Sequence, residues 1–89
     1  IIISNDGTTF TSGLDLKSAA SLFAPEKSAF PAASNAKLFQ VIQDLQESFS
    51  APEKCKKPVL ACVDGPCIGG GVDLITSCDM RYCTKSSYF

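Results

Sequence analysis

The chain has 89 residues and a formal charge of −1; 45% of its residues are hydrophobic and 19% are charged. That balance belongs to a chain that folds, not to a disordered one, and it gives no basic face for nucleic acid. No run reaches the ~18 apolar residues of a membrane span, and no charged-then-apolar signal segment opens the chain.

Histidine is absent, and the five cysteines, Cys55, Cys62, Cys67, Cys78 and Cys83, contain no CxxC pair. The ligand spacings of a zinc site are therefore missing, and no metal is expected. An odd number of thiols, one of them inside an apolar run, fits reduced cysteines in an intracellular compartment better than a disulfide framework.

Ile1-Ile2-Ile3 reads as a strand already under way, stopped by the turn formers Ser4-Asn5-Asp6-Gly7. In FTSGLDLK, Phe10 to Lys17, Gly13 offers a turn and Asp15 a cap for a short helix running to about Phe23. Pro25 and Pro31 bracket a loop. Leu38, Val41, Ile42, Leu45 and Phe49 then form one apolar stripe of a helix. Ser34 or Asn35 is expected to cap it, Pro52 to end it, and the stripe to pack on a sheet. Lys54, Lys56 and Lys57 read as a solvated loop.

Val59 to Val63 is a continuous apolar run, expected to be a central strand covered on both faces. Asp64-Gly65-Pro66 turns the chain, and Gly69-Gly70-Gly71 leads into a helix from Val72 to Ser77. Met80 to Thr84 is a further strand, and Tyr88-Phe89 begins another. Strands alternating with helices make the class α/β. There is no internal repeat, although two strand–glycine turn–helix units occur, at Gly13 and at Gly69. Both ends look cut, so residues 1–89 are expected to be part of a larger domain.

A glycine run entering a helix leaves backbone N–H groups unpaired, with the positive end of the helix dipole behind them. Such a turn suits a bound anion or negative charge that develops on an acyl oxygen during a reaction. Neither GxGxxG nor a Walker lysine surrounds Gly70, so a nucleotide cradle has little support. The plainer use of the glycines is close packing of helix against strand. Asp73, three residues after Gly70, sits near one turn into that helix, where a carboxylate either partners the dipole or moves protons. Asp79 and Arg81 fall at a helix-to-strand junction and read as a structural pair or turn stabiliser.

FTSGLDLK together with KPVLACVDGPCIGGGVDLITSCDMRYC resembles the enoyl-CoA hydratase/isomerase (crotonase) family, across nearly the whole chain and in the family's order. The resemblance implies a spiral of ββα units in the ClpP/crotonase-like class, lacking here its N-terminal strands and its C-terminal part. It implies that the Leu14 and Gly70 amides hold a thioester oxygen and that Asp73 acts in proton transfer. Ser12, Gly13, Leu14, Asp15 and Leu16 would meet the CoA, and Ile68 and Gly69 would line the acyl path. Coenzyme A would enter as part of the substrate, with no separate cofactor.

Family hydratases carry Glu where this chain has Asp73, and CIGGGVDLITSCDMRYC looks more like the dienoyl-CoA isomerases. The relatives' setting implies β-oxidation in mitochondria or peroxisomes and a homotrimer or dimer of trimers. The hydratase reading stands as an alternative. Two others belong to different classes. Gly65-Pro66-Cys67-Ile68-Gly69 has the form of a thiol nucleophile elbow, although the chain has no histidine to serve as its base. A non-catalytic acyl-CoA-binding subunit is the last.

Overall fold

The computed structural model describes residues 1–24 and 30–89; Pro25 lies outside them. The chain forms two compact units, one of Ile1–Gly13 with Phe49–Phe89 and the other of Leu14–Ser48.

The first unit is built on a parallel sheet of β1 (Ile2–Ser4), β2 (Leu60–Val63) and β3 (Met80–Cys83), in the order β1-β2-β3. The class is α/β, as the alternation of strand and helix signals implied. β2 is central, with Ile3 beside Ala61 and Ala61 beside Arg81. Parallel neighbours need a crossover, and the helix α4 (Gly70–Thr76) supplies it between β2 and β3. The core is Val59, Ala61, Val63, Cys67, Ile75 and Cys78, with Ile3, Phe10 and Cys55 packed against it.

Burial along β2 alternates, with Ala61 and Val63 buried and Leu60 and Cys62 half-buried. The continuous apolar run suggested cover on both faces. Among the described residues only one face is closed, because the core side chains, Ile75 and Cys78 among them, gather there. The neighbours of Leu60 and Cys62 on the other face, Ile2 at 67% and Tyr82 at 59%, are exposed.

After each strand the chain bends and pairs a second time. Thr11 bridges Cys67 in parallel, and Pro66 bridges Tyr88. Strand, bend, short second pairing, glycine turn and helix thus recur through α1 (Leu16–Leu22) and α4, giving the ββα path. Tyr88 takes part through this one bridge, not through a full strand. Asn5, Asp64 and Thr84 stitch the bends together. Asn5 Oδ1 accepts the Asp64 N–H at 3.2 Å, Asn5 Nδ2 donates to the Asp64 carbonyl at 3.0 Å, and Thr84 Oγ1 donates to Asp64 Oδ1 at 2.8 Å.

In the second unit, α1 begins at its Asp15 cap, whose Oδ1 accepts the Lys17 N–H at 3.0 Å. The long helix α2 (Pro31–Phe49) starts earlier than Ser34 or Asn35. The Phe30 carbonyl accepts from the Ala33 and Ser34 amides, and Pro31 opens the first turn, where its fixed φ suits the helix and no donor is needed. Leu38, Val41 and Leu45 are the half-buried stripe, and α2 contains no buried residue. Pro52 does not simply stop this helix. α2 ends at Phe49, where the first unit resumes, and Pro52 lies buried in the first turn of a separate short helix of that unit, α3 (Ala51–Lys54). Lys54, Lys56 and Lys57 are exposed.

Candidate active site

The site is built where the chain leaves its strands. Past β2 the chain turns at Gly65, whose φ of 77° and tight fit against the Thr8 carbonyl oxygen exclude a Cβ. The segments carrying the two glycine turns then run side by side. Pro66 O accepts the Phe10 and Thr11 amides at 2.9 and 3.0 Å, and Thr11 O accepts the Ile68 amide at 3.0 Å.

This ladder brings Gly13 and Gly69 together. Both have positive φ, 90° and 58°. A Cβ on Gly69 would stand 3.7 Å from the Gly13 Cα, and one on Gly13 would stand 3.2 Å from the Ile68 carbonyl oxygen. The close packing expected of the glycines is present, and it sets the turns edge to edge. Gly70 opens α4, and among the described residues its N–H, like that of Leu14, has no acceptor.

Of the other residues singled out from the sequence, Ile68 and Gly69 lie exposed at the turn. Asp73 occupies the first turn of α4 with its side chain exposed. Ser12, Leu14 and Leu16 are exposed, Leu16 to 81%. Asp15 is committed to its helix: Ser18 Oγ donates to its Oδ2 at 2.8 Å, and with the Lys17 amide this holds the carboxyl below its ordinary value.

Cys67 has no exposure at all, and burial pushes its thiol above the ordinary range. A nucleophile elbow presents its thiolate to substrate; this thiol is a core group under Gly71. Asp79 and Arg81 are structural, but each serves backbone. Asp79 Oδ2 accepts the Val59 N–H at 2.7 Å, and Arg81 Nη1 donates to the Ile75, Thr76 and Cys78 carbonyls at the end of α4. Guanidinium there satisfies orphan carbonyls and complements the dipole.

Sequence reasoning passed over Thr11 and treated Phe49 only as part of the helical stripe. Thr11 Oγ1 accepts the Gly13 N–H at 3.1 Å, and the Phe49 ring lies against Gly70. A hydroxyl two residues before a turn glycine was the available signal for Thr11; nothing local marked Phe49. A shallow hollow of about 310 Å³ at the ends of the three strands, bordered by Ser4, Cys62, Asp64 and Tyr82 among others, contains none of the residues expected to bind or turn over substrate.

The candidate site is thus a pair of glycine turns on a parallel α/β core, one of them opening a helix with an acid in its first turn. Residues 1–89 match the family described as Enoyl-CoA hydratase/isomerase, and the chain belongs to that family. It is 46% identical, over its whole length, to the mitochondrial Delta(3,5)-Delta(2,4)-dienoyl-CoA isomerase of Pongo abelii, of which it covers 27%. To the peroxisomal Delta(3,5)-Delta(2,4)-dienoyl-CoA isomerase of Arabidopsis thaliana it is 44% identical, covering 32% of that protein. Among solved structures it is similar to a putative enoyl-CoA hydratase of Thermobifida fusca in complex with acetoacetyl-CoA. There the TM-score is 0.72 at 33% identity, over 97% of this chain and 34% of that one. The chain thus spans about a third or less of these relatives.

Proposed function

We propose that this chain is the acyl-CoA-handling segment of an enzyme of fatty-acid β-oxidation that converts 3,5-dienoyl-CoA to 2,4-dienoyl-CoA. The observation that carries the reading is Asp73, one turn past the glycine run, in a chain 46% identical to a dienoyl-CoA isomerase. The reaction removes a proton from C2 and returns one at C6, with no water added. Negative charge passes onto the thioester oxygen as the C2 proton leaves. Two backbone donors, the Leu14 and Gly70 amides, stabilise it, and neither role needs a side chain. Asp73 takes part in moving the protons.

The contact at Gly13 and Gly69 supports this reading, because it fixes the turn that precedes each donor. Ser12, Gly13, Asp15 and Leu16 contact the CoA, and Ile68 and Gly69 line the acyl path. No cofactor beyond the substrate's own coenzyme A takes part. The mitochondrial and peroxisomal relatives support one of those two compartments, and the assembly proposed for the complete enzyme is a homotrimer or a dimer of trimers. Among the described residues no helix is long and apolar enough to cross a membrane.

Hydration of a 2-enoyl-CoA is the second reading, favoured by the likeness to the putative hydratase of Thermobifida fusca. Asp is one methylene shorter than the Glu that such hydratases use to hold water, which favours isomerisation. The test assays the complete enzyme and its Asp73→Asn variant on 3,5-dienoyl-CoA and on 2-enoyl-CoA in water. The expected result is isomerisation by the wild type and its loss in Asp73→Asn with acyl-CoA binding kept. Faster hydration than isomerisation by the wild type would establish the second reading. Full activity of Asp73→Asn in both assays would remove Asp73 from the chemistry.

A further inference from the structure

We propose that Thr11 is a positioning residue that sets the register between the two glycine turns and so aims the oxyanion-binding amides. This role rests on the function proposed above.

Four connections converge on Thr11. Its N–H donates to Pro66 O at 3.0 Å, and its carbonyl accepts the Ile68 N–H at 3.0 Å. Its Oγ1 accepts the Gly13 N–H at 3.1 Å. Its Cγ2 methyl occupies the place a side chain on Gly71 would take, directly over α4. One β-branched side chain thus holds both turns, with hydroxyl toward one and methyl toward the other. Exchanging the two groups by rotation would break both contacts, so χ1 is fixed.

Gly13 is the joint that needs holding. At a φ of 90° it has the freedom of a residue without a Cβ, and the direction of the next amide, Leu14 N–H, follows from its backbone angles. The Thr11 hydroxyl pins the peptide on the near side of that joint. Without it the half-buried Gly13 N–H lacks an acceptor, and the turn relaxes to find one.

The variants Thr11→Val, which keeps the shape and loses the hydroxyl, and Thr11→Ser, which keeps the hydroxyl, separate positioning from folding. The complete enzyme is assayed for kcat and KM, for thermal stability, for binding of free CoA, and for the enolate absorbance of bound acetoacetyl-CoA. Thr11→Val should lower kcat about 10-fold, the scale of one amide left without its acceptor. It should also lower the enolate signal while leaving CoA affinity unchanged, and Thr11→Ser should recover most of both. A Thr11→Val enzyme with wild-type kcat and enolate signal would overturn the role. So would losses in the two variants that merely follow their loss of thermal stability. A wild type that binds acyl-CoA without an enolate signal or turnover overturns the proposed function and this role with it.

Discussion

The ring of Phe49 stands where a side chain on Gly70 would have to go: a Cβ there would lie 2.8 Å from Phe49 Cζ. Gly70 opens α4 and carries one of the two proposed donors, so the last residue of α2 fills the side-chain space of that residue without contributing a polar atom. Gly70→Ala keeps the N–H but should overpack, costing about 1–3 kcal/mol of stability and lowering turnover. The colliding atom is the tip of a side chain, and shortening it by Phe49→Leu in the same protein should restore much of both. Denaturant melts and rate measurements on the two single variants and the double variant form the cycle. Additive losses would show that the ring does not constrain Gly70.

Removing Asp79 and Arg81 should weaken the fold by separate routes. Asp79→Asn exchanges a charged acceptor for the Val59 N–H for a neutral one, and a cost of about 1 kcal/mol or more is expected. Arg81→Met removes a donor shared by three carbonyls at the end of α4, at a cost of about 1 kcal/mol. Because the two side chains bond different backbone groups, the double variant should lose close to the sum. A large coupling energy would instead show that they act as an ion pair.

Cys67 should be dispensable for chemistry. Cys67→Ala is expected to keep turnover while losing roughly 1 kcal/mol of stability through the space left beside Gly71. Its thiol, with that of Cys78, should resist alkylation in the native protein and react once denatured, which mass spectrometry of the labelled peptides would show. Burial raises both thiols, so the folded state keeps protons that the unfolded chain gives up. Their contribution to stability is therefore whole below the ordinary thiol pKa of ~8.5 and declines as pH rises past it. Loss of all turnover in Cys67→Ala, with acyl-CoA binding intact, would restore the nucleophile reading.

Where one local pattern is unambiguous, the sequence was sufficient by itself. The Val59–Val63 run announced the central strand, but its continuity also suggested cover on both faces, where only the Ala61 and Val63 face is buried. Asp15 before an apolar stretch announced the start of α1, and Gly69-Gly70-Gly71 before Val72 announced the start of α4. The start of α2 was misplaced for a local reason too. Ser34 and Asn35 are good caps, but a proline at the first helical position fits just as well, and only the hydrogen bonds to Phe30 O decide between them.

What the sequence left open was every relation between residues far apart in the chain. That Asn5, Asp64 and Thr84 join three bends, that Asp79 holds Val59, and that Thr11 touches both glycine turns follow from pairing three strands in parallel. No spacing along the chain encodes such contacts, since the long crossovers between parallel strands set no fixed interval. Cys67 shows the same division: its G-x-C-x-G surroundings allowed a nucleophile, and only its burial beneath α4 made it a core thiol, because a side chain's reactivity depends on the solvent it meets, not on its neighbours in sequence.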